Sequence, residues 1–255
     1  MHYVRDDLDD IDENDIGEKK RFAFLDLLLE LSRNGAKSTD QKIQKEVDTI
    51  MFEIIEDHDT TAAGSSFVLC VLGIHQDVQE RVFEELNEIF GESNRPCTFQ
   101  DSLEMKYLER VIYETLRHFP SVPAIARHLN NDVKIVTELF ITKRLYDFDY
   151  RVHRLKEFYP NPDVFDPDNF LPEEKQNRHY YSFISFSAGP RSCVGRKYAI
   201  LKLKVLLSTI LRNYKILSDL TEKDFRLKID IILKRVDGFQ IKIEPRNKSN
   251  QEVLV

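Results

Sequence analysis

The chain has 255 residues, 42% hydrophobic and 32% charged, with a net charge of −7 at neutral pH. That is apolar material for one large domain or two modest ones, and the acid excess argues against the basic face of a nucleic-acid binder. Three cysteines without paired spacing (Cys70, Cys97, Cys193) argue against a disulfide framework and fit a reducing compartment. The longest apolar run, Phe67 to Ile74, is too short to span a bilayer, and no signal-peptide pattern is expected at the start.

In chain order, residues 1–20 read as a flexible acidic lead, with Asp6, Asp7, Asp9, Asp10, Asp12, Glu13, Asp15 and Glu18 forming a solvated segment or an interaction tail. Phe22 to Leu31 has helical spacing, ended by Asn34-Gly35. Thr39-Asp40 offers a cap for a long helix reaching about Leu72, ~50 Å at ~1.5 Å per residue. It carries the run Glu56-Asp57-His58-Asp59-Thr60-Thr61. An amphipathic helix follows from about Asp77 to Phe90, with Gly91 as its stop. Thr98-Phe99-Gln100-Asp101 resembles a capping box and predicts one helix to about Phe119, ended by Pro120 and Pro123.

On that helix the apolar stripe is Met105, Leu108, Ile112, Leu116 and Phe119. Glu114 and Arg117 fall on the opposite side, which by itself predicts an exposed i,i+3 ion pair worth a few tenths of a kcal/mol. Residues 130–150 read as short strands and turns. Pro160, Pro162, Pro167 and Pro172 make the next stretch a meander without regular structure. A helix after Gly195 and strands near Leu227–Leu233 and Phe239–Ile243 complete the pattern, and 246–255 read as a flexible tail.

The densest chemistry lies in Phe186-Ser187-Ala188-Gly189-Pro190-Arg191-Ser192-Cys193-Val194-Gly195. Five of its positions fit F-x-x-G-x-R-x-C-x-G, a match expected by chance on the order of one time in 10⁵. A thiolate binds soft or borderline metals, and its pKa falls beside positive charge or at a helix N-terminus. Arg191 supplies the charge, and the helical spacing of Ala199, Leu203, Leu206, Leu207, Ile210 and Leu211 places Cys193 at or just before a helix start. Gly195 permits a flat group to approach the backbone. A buried structural cysteine is the alternative reading. A zinc module is a poor one, because the histidines are scattered and no two cysteines stand at ligand spacing.

This loop resembles the haem-binding signature of the cytochrome P450 superfamily, and the run from Glu56 to Thr61 is most similar to its insect-type family-four fatty-acid and terpenoid hydroxylases. The resemblance implies a mainly α fold with a small β component, the C-terminal, haem-facing half of a cytochrome P450-type domain over residues 21–245. It implies a haem-dependent monooxygenase acting on an apolar substrate such as a fatty acid, terpenoid or xenobiotic, with electrons from a flavoprotein NADPH reductase. Full-length relatives are expected at the endoplasmic reticulum membrane. By the same resemblance, Cys193 is the iron ligand, Arg191 and Arg127 are propionate partners, Phe186 shields the sulfur, and Glu114 and Arg117 are the E-x-x-R lock against the meander. Asp59 and Thr60 match the acid–alcohol proton relay, and Glu56 the glutamate that can be esterified to the haem. The alternative readings are a surface arginine for Arg127 and an exposed acidic turn for Asp59 with Thr60. Arg196, Lys197, Lys202 and Lys204 form either a docking face for the reductase or the solvated side of a helix.

Three departures from the family pattern stand out. Asn169 occupies the place of an arginine that would extend the lock, and it brings a hydrogen bond without a charge. Asp57 replaces a glycine, within a segment (53–57) that reads as a three-residue insertion requiring a helix bulge or a ~60° misalignment. Residues 136–150 lack the glycine and proline of the usual hairpin turn. Together with a length about half that of a whole domain, these departures raise the alternative of a truncated or mis-assembled, non-catalytic fragment with weak or no haem binding.

Overall fold

The computed structural model describes residues 40–128, 133–136, 139–141, 144–147 and 149–246, with side chains at 44, 45, 58–126, 150–190 and 192–246. The acidic lead and the predicted helix from Phe22 lie outside these residues, as does the predicted tail after Arg246. Arg246 itself is anchored, its N–H donating to Asn213 O at 2.8 Å. The chain divides into units at 1–55 and 56–255. Of the first, the described part is the opening of helix α1 (Asp40–Ile74). The backbone of residues 53–57 is α-helical, so of the two alternatives there, a bulge or a misaligned face, the bulge is not seen.

The second unit is mainly helical. From the end of α1 the chain runs through α2 (Gln76–Phe90), α3 (Phe99–Glu104) and α4 (Lys106–His118). Four strands follow: β1 (Ile125–His128), β2 (Val133–Val136), β3 (Leu139–Ile141) and β4 (Arg144–Asp147). Next come the short helices α5 (Asp149–Val152) and α6 (Pro172–Asn177), then α7 (Arg196–Asn213). The chain closes with β5 (Tyr214–Leu217), β6 (Leu227–Asp230), β7 (Ile232–Arg235) and β8 (Lys242–Pro245). Among the described residues every sheet is a two-stranded antiparallel ribbon: β1 with β4, β2 with β3, β5 with β8 and β6 with β7.

The core is built from the inner stripes of the long helices. Phe67, Leu72, Val82, Leu86, Leu108, Ile112, Leu207 and Leu211 are buried together. Phe67 stacks on Phe119 at 4.9 Å and meets the edge of Phe239 at 4.9 Å. Gln79 closes the polar seam where α1 meets β5. Its amide donates to Leu72 O and Ile216 O, both at 2.8 Å, and accepts the Ile216 N–H at 2.9 Å. Gly73 makes this approach possible, since a Cβ there would stand 3.2 Å from the backbone of Leu217.

Several expectations are corrected. The helix predicted from Thr98 to Phe119 is two, broken at Met105, whose φ/ψ of −72°/69° leaves the helical region. The new helix start is capped from outside, because Glu85 on α2 accepts the N–H groups of Tyr107 and Leu108 at 2.5 and 2.9 Å. The predicted strand at 227–233 is a hairpin that turns at Ile231, which has φ 63°. β5, running straight on from α7, carries no sequence-local stop that separates it from the helix. Residues 133–136 pair with 139–141 as a ribbon despite lacking glycine and proline, with a bulge between Lys134 and Val136.

The predicted capping box does form. Asp101 N donates to Thr98 Oγ1 at 3.2 Å, Thr98 N donates to the Asp101 carboxylate at 2.7 Å, and Arg95 grips the same carboxylate. Thr98→Ala is expected to cost about 1 kcal/mol, read as a fall in the urea midpoint at constant m-value.

Candidate functional site

Glu114 and Arg117, placed on a solvated face by their spacing alone and in a lock against the meander by the family resemblance, are both fully buried. The apolar stripe told correctly which face meets α2 and α7; the opposite face is covered by the meander, a contact no local pattern announces. Arg117 Nε and Nη2 donate to the two Glu114 carboxylate oxygens, each at 2.8 Å. Its remaining donors reach main-chain carbonyls of His153 (2.9 Å), Pro162 (2.8 Å) and Val164 (3.2 Å). Glu114 also accepts the Asp166 N–H at 2.9 Å and the Asn169 amide at 3.1 Å. Asn169 thus joins the lock as a neutral donor. Burial alone would raise the Glu114 carboxyl, but the Arg117 fork and His118 overcome it and hold it below the ordinary range.

A second, partly buried cluster adjoins this one. Glu222 bridges two histidines, meeting His75 Nε2 at 2.8 Å and His118 Nδ1 at 3.1 Å. Phe165 stacks on His75 at 4.9 Å and presents an edge to His118 at 5.5 Å. Arg117 Nη2 lies 2.6 Å from His118 Nε2, so the bridge and the lock are continuous. Burial favours a higher Glu222 pKa, yet the hydrogen bonds from His118 and His75 bring it down to about 2.

The cysteine loop is pinned at both ends. Ser185 Oγ donates to Leu116 O at 3.0 Å, Ser187 N to Ile184 O at 2.8 Å, and Cys193 N to Phe186 O at 2.8 Å. Gly189 takes φ 74°, and Ser187, without the freedom of glycine, takes φ 60°. Cys193 stands just before the helix start, as its sequence position implied: Gly195 caps α7, and Cys193 lies two residues earlier.

One cavity of about 290 Å³ joins this loop to α1. Cys193, Phe186, Ser185 and Ser187 line it from the loop, and Thr60, Thr61 and Gly64 from α1. Leu116, Val122, Ile125, Ala199 and Leu203 supply apolar wall. Ser121 also lines it and donates from Oγ to Thr60 O at 3.0 Å, tying the helix to the turn after α4.

The structure therefore brings Thr60, Phe186 and Cys193 together. Asp59 is elsewhere: its side chain is 60% exposed and lies 3.7 Å from His58 Nδ1. Gly195 is off the cavity wall, though a Cβ there would stand 3.8 Å from Cys193 Sγ. Arg127 lies on β1, paired with Leu145, and Arg191 in the 3-10 turn Gly189–Arg191; these two side chains and that of Glu56 lie outside the described ones. Lys204 is a correction. It is buried, donating to Ser102 O at 2.8 Å and paired with Glu109, so it belongs to no solvated or docking face. Sequence reasoning missed Thr61, Ser121, His118 and Glu222 as parts of this arrangement; the last two are 104 residues apart and share no local signal.

A cysteine loop facing a threonine-bearing long helix, over a buried Glu-Arg lock, defines a class. The chain belongs to the cytochrome P450 family, whose model matches residues 1–243. Within it, the chain is 61% identical to cytochrome P450 4g15 and 58% identical to cytochrome P450 4g1, both of Drosophila melanogaster, over 95% of its own length. Human cytochrome P450 4V2 is 42% identical over 90% of the chain. The chain spans 42–44% of the length of these relatives. The family match takes in the departing segments 53–57 and 136–150, which does not favour a mis-assembled chain.

The family's cofactor is haem, and the residues present fit it. The cavity offers a soft sulfur donor on one side and largely apolar walls around it, the donor set a flat apolar macrocycle with a thiolate-bound iron requires. Gly64 keeps the α1 wall low, since a methyl there would stand 3.4 Å from Ser121 Oγ. Among the described residues no helix is long and apolar enough to cross a membrane.

Proposed function

We propose that the chain forms the thiolate-bearing side of a haem-dependent monooxygenase domain, in which Cys193 would hold the haem iron through its thiolate and an apolar small molecule would be the substrate. The observation that carries this reading is a cavity lined by both Cys193 and the α1 residues Thr60, Thr61 and Gly64. Haem, when bound, supplies the iron at which one atom of dioxygen is transferred to the substrate while the other leaves as water.

The chain's own residues do the rest. Cys193, as thiolate, pushes electron density toward the iron. Phe186 beside it keeps water from the sulfur. Thr60 holds a hydroxyl at the cavity, and Asp59, next to it on the exposed side of α1, collects protons from solvent for it. Arg127 and Arg191 pair with the haem propionates, Glu56 stands at the esterifiable position, and Gly195 leaves room beside the sulfur. The substrate class is fatty acid, terpenoid or xenobiotic. A flavoprotein NADPH reductase docks on Arg196, Lys197 and Lys202 by electrostatic steering. The location that goes with this reading is the endoplasmic reticulum membrane.

Haem reconstitution followed by reduction and carbon monoxide tests the proposal. The expected result is a thiolate-type absorption band from the native chain and none from Cys193→Ala. A native chain without the band, or a variant that keeps it, overturns the assignment.

A further inference from the structure

His153 sits at the start of the meander and is fully buried. Its main-chain carbonyl accepts Arg117 Nη1 at 2.9 Å, and its ring Nε2 accepts the Ile184 N–H at 2.9 Å. One residue therefore touches the lock with its backbone and the root of the cysteine loop with its side chain. The route onward is short. Ile184 O accepts the Ser187 N–H, and Phe186 O, between them in sequence, accepts the Cys193 N–H, each at 2.8 Å.

The ring's protonation follows from these contacts. A nitrogen that accepts an N–H carries no hydrogen, so the neutral ring bears its proton on Nδ1. Charging the ring would set two N–H groups against each other at Nε2. Burial, reinforced by the Arg117 charge, accordingly pushes the imidazole down to about 3. Nδ1 itself has no partner among the described residues. A buried unsatisfied N–H is destabilising, and a leucine or phenylalanine would fill the same volume without it. Packing alone is available in any aromatic: the ring stacks on Phe183 at 5.1 Å with 25° between planes. What only the imidazole adds at this place is a neutral acceptor for Ile184.

We propose that His153 is a positioning residue for Cys193, coupling the Glu114–Arg117 lock to the cysteine loop through the Ile184 N–H. This rests on the haem-thiolate reading only for its purpose; the coupling itself exists in the chain without haem. Two variants separate acceptor from packing. His153→Phe keeps the stack on Phe183 and removes the acceptor; His153→Gln restores an acceptor and removes the ring.

The first readout is the alkylation rate of Cys193 in the haem-free chain, followed by peptide mapping so that Cys70 and Cys97 do not contribute. Cys193 is already exposed, so its rate reports the loop's geometry, and loss of one hydrogen bond at the loop root is expected to change that rate about fivefold in His153→Phe, with His153→Gln close to the native rate. Nitrogen NMR of the native ring is expected to show a bare Nε2 and a protonated Nδ1. The second readout is the thiolate-type fraction of the carbon monoxide complex, expected to fall in His153→Phe and recover in His153→Gln.

A native alkylation rate in His153→Phe overturns the proposal. So does an equal change in both variants, which makes His153 a packing residue, or a protonated Nε2. If the native chain takes up no haem, the functional proposal fails alone, and alkylation with NMR still decides the role of His153.

Discussion

Replacing Glu114 with alanine is expected to remove about 3–5 kcal/mol of folding stability. The size follows from burial: the substitution strands the Arg117 guanidinium in a place with no exposed surface, still charged and with its main ion-pair partner gone. A domain holds only about 5–15 kcal/mol in all, so the variant is expected to be largely unfolded at modest urea. Arg117→Lys is also expected to be poor, with at least ~2 kcal/mol lost. Lysine has three donors on one nitrogen, and they cannot serve two carboxylate oxygens and the separated carbonyls of His153, Pro162 and Val164. The exposed pair Lys228–Asp230 at 3.4 Å provides the contrast, because Asp230→Ala is expected to change stability by less than ~0.5 kcal/mol. Urea unfolding followed by circular dichroism measures all three. A Glu114→Ala midpoint equal to the native one means that the lock does not hold the fold.

Acid is expected to weaken the protein through Glu222. Its pKa is about 2 in the folded chain against an ordinary 4.5. A depressed carboxyl stabilises the native state above its unfolded pKa and loses that contribution as pH falls through the folded one. The window is therefore pH 4.5 down to about 2, and the native advantage over Glu222→Gln is on the order of 2–3 kcal/mol at neutral pH. The side chain is 22% exposed, so water screens the bridge only partly. Urea melts of both proteins at stepped pH give the test. The two stability curves should converge as pH drops below 4.5, and a constant gap across that range contradicts the role of the bridge.

Much of this architecture was legible in the residues. The cysteine loop could be read because its chemistry is contiguous: a glycine for the turn, an arginine and a cysteine within ten residues. The long helices could be read because burial imposes a period near 3.6 on each of them. The failures share a cause, which is a partner distant in the chain. The break at Met105 is stabilised by Glu85 on another helix. Lys204 looks solvated by its charge and is buried because Ser102 O and Glu109 receive it. Glu114 and Arg117 look like a surface pair by spacing alone and like a lock only through the family resemblance; with the meander closed over them they are the most buried ion pair described. Of the predicted site, Thr60, Phe186 and Cys193 converge on one cavity. Asp59 stands apart because adjacent helix positions point ~100° away from one another.

The two-stranded ribbons carry a consequence for how the protein assembles. Among the described residues every sheet has two strands, so every described strand is an edge with one flank without a ladder. A lone ribbon is marginal in water, so none of the four is a nucleus for the others. β5 and β6–β7 gain their footing from the helices and the turn after α4: Ile216 on Gln79, and Leu233 N on Ser121 O at 2.8 Å. The helices are hosts and the ribbons guests, and order in the β parts arrives last and leaves first.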